Sequence, residues 1–313
     1  MDYRQLTRLA AHQPLGDARD LDALEADIAA TWTAYQDSRF GYATHRLVTL
    51  IPDAKIAAHE YQGDRQQRAL GLLALTYQVA AGTLTKLGEA DLAWNASDRG
   101  IDAAYRSGNP TVIGSLFRSV AHSLQATGAY AAAVQMTNDA IEFFEPHLSD
   151  PSPAMLSVYG TLLLSGSMAA ARADDRHTVQ AFLTGADGAA HRMGGDANHL
   201  WTAFGPTNVA IHRVSTAMEL GDIQIAIDLG PQIDTSAVPT ERRVRHSLEV
   251  ARAWSTANRR DEALATLLDA EQLAPEQVRY HYLSRNLVQT WIRTQRGQPS
   301  FELAELAHRL GIG

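Results

Sequence analysis

The sequence predicts an all-α protein built as a solenoid of antiparallel helix pairs. Three observations carry this. Apolar residues recur at three- and four-residue steps from Asp20 to the end of the chain; helical stretches alternate with tight turns in a repeating order; and neither period-two strands nor Asn-Gly hairpin turns occur. The predicted helices run over 20–37, 40–62, 64–86, 89–107, 111–127, 129–147, 153–173, 175–193, 206–220, 222–232, 240–257, 260–273, 276–296 and 299–310, after a short one at 2–12. In the 20–37 helix, Leu21, Leu24, Ile28, Trp32 and Tyr35 form the apolar stripe and Asp20 offers an N-cap. Residues 1–19 read as a short N-terminal helix and linker, and 20–313 as one helical-repeat domain.

The pairs share a spacing. Ala93, Ala133, Val179, Ala226 and Ala263 stand five residues into successive second helices, separated by 40, 46, 47 and 37 residues. Twelve residues before each stand Ala81, Ala121, Ser167, Val214 and Ala251, compact side chains where a first helix must approach its partner. The unit Leu248 to Pro275, with Ala263, Ala270 and Pro275 in place, matches the tetratricopeptide pattern, and the others are longer and degenerate. One helix pair cannot bury its apolar stripe alone, so neighbours stack into a continuous core. A right-handed, tetratricopeptide-like α-solenoid of roughly six pairs follows. Its concave face belongs to the first helices, and the register sends Gln78, Arg118, Ile211, His122, Asn208 and Arg245 towards it.

Composition narrows the function. A formal charge of −8 argues against direct nucleic-acid binding, which needs clustered Lys and Arg, and the absence of Cys removes disulfides, thiolate zinc sites and a Cys nucleophile. The N-terminus lacks an apolar signal core, and the sequence reads as having no run of about 18 apolar residues; a cytoplasmic protein without a membrane partner is expected. HExxH, GxxxxGK[ST] and GxSxG motifs are all missing, so no metal and no cofactor are expected.

One stretch departs from ordinary helix: Gly194 to Arg213, which holds two His, two Asn, Asp196, Trp201 and Phe204 together with a Gly pair and the Gly205-Pro206 break. A helix built only for packing avoids Gly-Pro. As a pocket, Trp201 and Phe204 supply apolar walls, Asn198, Thr202, Thr207 and Asn208 supply hydrogen bonds, and His199 or His212 exchanges a proton near neutrality. The same side chains would equally serve to satisfy the backbone of an irregular segment. Arg118 and His122, four apart on a first helix, form a second cluster with Tyr77, Gln78 and Tyr159; they suit a carboxylate or carbonyl, or Arg118 pairs with an acid such as Asp98. The run Arg242 to His246, with Glu249 and Arg252, reads as a solvated, salt-bridged face.

The stretch Gly194-Gly195-Asp196-Ala197-Asn198-His199-Leu200-Trp201-Thr202-Ala203-Phe204-Gly205-Pro206-Thr207-Asn208-Val209, with Leu92-Ala93-Trp94 after Lys86-Leu87-Gly88 and the late Leu273-Ala274-Pro275-Glu276-Gln277-Val278-Arg279, resembles the tetratricopeptide-like C-terminal region of actinobacterial helix-turn-helix regulators of the XRE class. The resemblance spans roughly residues 17–312. It implies a sensor region that takes a small molecule or a protein or peptide partner in its concave face. A DNA-binding domain normally precedes that region; only about 16 residues do so here, so the sensor is expected without it. A homodimer is compatible with this reading. The leading expectation is therefore a ligand- or partner-binding module. The alternative is a cofactor-free enzyme of secondary metabolism on the same scaffold, cyclising or isomerising a partly hydrophobic intermediate. His199, His212 or His122 would then carry the proton, and Asp196 or Glu219 would orient it.

Overall fold

The computed structural model describes residues 16–295 and 297–312. The predicted helix at 2–12 lies outside these residues. The described chain is helical throughout, with an isolated antiparallel bridge between Ala197 and Phe204 and no strand. Its α-helices are α1 (Leu21–Gln36), α2 (Phe40–Glu60), α3 (Gly63–Lys86), α4 (Ala90–Ser107), α5 (Pro110–Ala126), α6 (Tyr130–Phe144), α7 (Pro153–Arg172), α8 (Arg176–Met193), α9 (Pro206–Glu219), α10 (Ile223–Leu229), α11 (Thr240–Thr256), α12 (Arg260–Leu273), α13 (Pro275–Tyr280), α14 (Tyr282–Thr294) and α15 (Phe301–Arg309).

Local chemistry sets the boundaries. Asp20, Asn109, Ser152 and Asp175 accept backbone N–H groups at the starts of α1, α5, α7 and α8, satisfying donors that the first turn leaves free. Gly108 and Gly194 end α4 and α8 in the left-handed conformation that glycine adopts without penalty. The predicted helix 276–296 is broken at His281, whose extended backbone (φ −72°, ψ 130°) separates α13 from α14. There the His281 imidazole accepts the Leu283 N–H at 3.2 Å and acts as the N-cap of α14. An imidazole in the capping role is not a signal that apolar spacing carries.

The odd-numbered helices α1, α3, α5, α7, α9 and α11 pack side by side as an inner layer, each backed by its even-numbered partner. Gln78 of α3 donates to the backbone oxygen and hydroxyl of Ser115 on α5 (2.8 and 2.6 Å), and Gln125 of α5 does the same to Ser165 on α7 (3.2 and 3.1 Å). The expected small positions work as read: Ala81, Ala121, Ser167, Val214 and Ala251 are all buried at helix contacts. By length and composition α7 is apolar enough to cross a membrane, which corrects the sequence reading. However, 83% of that stretch is buried inside the protein, because α7 runs through the middle of the inner layer between α5 and α9.

The layer does not stay open. Its last member, α11, returns to pack on its first, α1. Ser38 donates to Gln277 Oε1 at 2.6 Å and the Gly41 N–H donates to Glu276 Oε2 at 2.9 Å, so the turn after α1 is joined to α13. Beyond this joint, α12 to α15 pack with α11 on their own apolar core around Leu248, Leu267, Val278, Trp291 and Leu306.

Candidate functional site

The segment from Gly194 to Gly205 crosses between α8 and α9 as a bridge, and its shape follows from a few contacts. Asp196 accepts both the N–H (3.0 Å) and the hydroxyl (2.7 Å) of Thr207, capping the first turn of α9 from eleven residues upstream. A Cβ at Gly205 would lie 2.3 Å from Asp196 Oδ1, so only glycine admits this approach. Leu200, Trp201 and Ala203 are all left-handed (φ 45°, 54° and 50°), a conformation that costs non-glycine residues on the order of 1 kcal/mol each.

What holds the strained turn is α1. Gln36 Nε2 donates to Asn198 Oδ1 (3.0 Å) and to the Trp201 carbonyl (3.1 Å), and Asn198 Nδ2 donates back to Gln36 Oε1 (2.8 Å). Asn198 Oδ1 also accepts the Ala203 N–H at 3.0 Å. The Trp201 indole then stacks on Trp32, with centroids 5.1 Å apart and planes 4° from parallel.

Bridge and inner layer together enclose a chamber of about 110 Å³, walled by Trp32, Tyr35 and Gln36 of α1, Gln78 and Lys86 of α3, Arg118 and His122 of α5, Trp201 and Ala203 of the bridge, and Glu241 and Arg242 of α11. His122 is open to solvent in the lumen while protein surrounds it, so the chamber is wet on that side.

Cations outnumber anions in the chamber. Lys86 pairs with Glu241. Arg118, only 8% exposed, and Arg242 form no ion pair among the described residues, and the Nε of each is buried without a hydrogen-bond partner. Buried beside them without partners are Gln78 Oε1 and Trp32 Nε1. Elsewhere the equivalent oxygen, Gln125 Oε1, is satisfied by Arg172 at 3.3 Å.

Titration follows from burial and this charge. Burial and then the nearby Arg242 guanidinium lower Arg118 to about 10. Burial first, then Arg118, Arg242 and Lys86, hold His122 well below the usual imidazole range. Burial and Arg242 bring His212 down to about 3. Burial would raise Glu241, but the charges of Lys86 and Arg242 outweigh it and hold the carboxyl at about 2. A base driven down and an acid driven down in one place report a positive potential as well as desolvation.

The structure distributes the sequence-derived candidates over three environments. Gln78, Arg118, His122 and Trp201 meet in the chamber. Asn198, Thr202 and Thr207 hold the bridge, Thr202 by donating to the His199 carbonyl at 2.8 Å, while the His199 ring is exposed on the outside. Phe204 and Ile211 are core, the Phe204 ring lying flush on α7 where a Cβ at Gly160 would come within 1.9 Å. Tyr77 packs against Gly100 between α3 and α4, and Tyr159 meets Phe144 edge to face at 5.9 Å. Asn208 is fully buried with both amide atoms unpaired, and its carbonyl meets His212 Nδ1 at 2.9 Å, which gives Nδ1 the proton. The suggested orienting carboxylates are engaged elsewhere, Asp196 with Thr207 and Glu219 with Arg252.

Arg245 belongs to a second charged cluster. It bonds Glu249 at 2.7 Å, and Glu249, with no exposure, also takes Arg252 at 3.0 Å. The run 242–246 with Glu249 and Arg252 is thus salt-bridged as expected, but at its core it is buried rather than solvated: Glu249 and His246 are inside the protein. Trp32, Tyr35, Gln36, Lys86, Glu241 and Arg242 carry no sequence signal for the chamber, because only the return of α11 to α1 brings them together. Among the described residues no three of His, Asp and Glu converge as a metal-ligand set.

No family model matches the chain, and no curated protein does. Among solved structures, BtubC from P. vanneervenii aligns with a TM-score of 0.47 at 13% identity, over 88% of this chain and 95% of that one, a level that carries no argument. The apo form of RapI aligns with a TM-score of 0.58 at 13% identity, over 88% of this chain and 89% of that one. That likeness is one of fold: this chain shares with RapI an all-α, tetratricopeptide-like helical-repeat architecture.

Proposed function

We propose that the chain is a sensor-type binding module that captures an anionic ligand in the chamber between α1, α3, α5, α11 and the bridge. The observation that carries this is Arg118, a guanidinium more than nine-tenths buried, lining a cavity, with no ion-pair or hydrogen-bond partner among the described residues. A buried charge without a partner costs several kcal/mol, and folds retain one where something else supplies the partner. The stacked Trp32 and Trp201 add an apolar wall, and Gln78 Oε1 and Trp32 Nε1 offer one acceptor and one donor, the mixture typical of small-ligand sites. The carboxylate end of a peptide meets the same chemistry, and the helical-repeat architecture shared with RapI is compatible with such a partner.

The test is a thermal-shift screen of anionic, neutral and cationic metabolites and short peptides, followed by calorimetry on the hits. Anionic compounds should dominate the hits, and Arg118→Met should abolish their binding. Hits spread evenly over the three charge classes, or anion binding unaffected by Arg118→Met, would refute the proposal.

A further inference from the structure

The side chains of the chamber set how many negative charges its anion carries. Three cations, Lys86, Arg118 and Arg242, face one carboxylate, Glu241, and Lys86 takes that carboxylate. Two guanidiniums remain. They arrive from different parts of the ring: α5 packs between α3 and α7, whereas α11 packs between α9 and α1. A single negative charge would leave one of the two without a counter-charge.

Resting on the anion-chamber reading, we infer that the ligand presents a compact doubly charged head, a phosphate monoester or a short dicarboxylate, to Arg118 and Arg242 together, and so ties α5 to α11 across the lumen. The size agrees: a cavity of about 110 Å³ holds a phosphate group or a four-carbon diacid and little more, so any larger part of the ligand extends past His122 into the lumen. A guanidinium offers its donors as a planar fork that matches carboxylate and phosphate oxygens. Gln78 Oε1, an acceptor left unpaired among donors, suits a hydroxyl or N–H beside the head.

Matched pairs of probes separate charge from shape. Calorimetry at pH 8 and low salt compares methyl phosphate with dimethyl phosphate, and succinate with its monomethyl ester; each pair differs by one negative charge. The expected result is that at least one dianion binds about tenfold or more tightly than its ester, and that Arg118→Met or Arg242→Met brings that ratio close to one. Whichever pair shows the preference identifies the head as phosphate or dicarboxylate. Arg118→Met removes a buried unpaired charge and Arg242→Met a half-buried one, both at nearly constant length, and both should fold, which circular dichroism checks; Arg118→Lys keeps the charge and should keep most of the preference.

Esters that bind as tightly as the dianions, or a preference untouched by both Met variants, overturn the double charge and leave the anion chamber standing. Binding of none of the four overturns this inference. It overturns the underlying reading as well if the metabolite screen yields no anion.

Discussion

Helix α11 carries two buried charge clusters less than three turns apart, and they are built on opposite principles. Towards its middle, Arg245 and Arg252 enclose Glu249, and Arg252 reaches on to Glu219 at 3.2 Å: two cations against two carboxylates. At its first turn, Glu241 and Arg242 join Lys86 and Arg118, three cations against one carboxylate. Burial alone therefore does not mark a functional site in this molecule. Burial lowers Arg245, but Glu249 outweighs it and the guanidinium ends above its usual range, whereas Arg118 ends well below. The balanced cluster is scaffold; the unbalanced one waits for a counter-charge.

The largest effect expected from this contrast is on the balanced side. Glu249→Ala leaves Arg245 without its carboxylate and Arg252 with Glu219 alone, and should cost about 3–5 kcal/mol in denaturant unfolding. The exposed pair Arg259–Glu262 provides the reference: Glu262→Ala should change stability by less than about 1 kcal/mol. Equal losses for the two would break the contrast. Next in size is Trp201→Ala, which removes the stack on Trp32 and one wall of the chamber; a loss of about 1–3 kcal/mol is expected, together with loss of anion binding. Retained binding in that variant would show that the bridge is only a strap.

The smallest effect is in the acid limb of stability. His122 and His212 are depressed in the folded chain, His212 to about 3, so between pH 6.5 and about 3 the unfolded chain binds protons that the folded one refuses. Stability must fall as pH falls through that window. Glu241, held at about 2 against an ordinary 4.5, acts in the same direction: its contribution is complete above pH 4.5 and is lost as pH falls through about 2. Part of the histidine effect comes from Arg118, so Arg118→Met should make the urea midpoint less dependent on pH between 6.5 and 4. A slope left unchanged by Arg118→Met would break that assignment.

The sequence and the structure agree where information is local. The spacing of Ala81, Ala121, Ser167, Val214 and Ala251 set the register of the inner helices, and from it Gln78, Arg118 and His122 were placed on the lumen, where they are. The bridge was legible as an anomaly but not in its direction. Left-handed Leu200 and Trp201 turn the chain so that Trp201 faces the chamber while His199, two residues away, faces outward. Most of the chamber was not legible at all. Trp32 and Arg242 are 210 positions apart, and they meet only because small rotations from one pair to the next accumulate into a closed turn. No residue pattern in any one repeat encodes that sum. For the same reason Arg242 looked like part of a solvated face.

The return of α11 to α1 has a bearing on how the molecule comes apart. An open array of repeats frays from its ends, because a terminal unit has one neighbour to lose where an internal unit has two. Here the first inner helix also touches the last, and the joints Ser38–Gln277, Gly41–Glu276 and Lys86–Glu241 give the first pairs a second set of partners. The closure gives α1 inner-layer neighbours on both sides, so it should resist amide exchange as well as α5 and α7 do. Cutting the seam, for example with Gln277→Ala, should restore the end-first melting of a linear array.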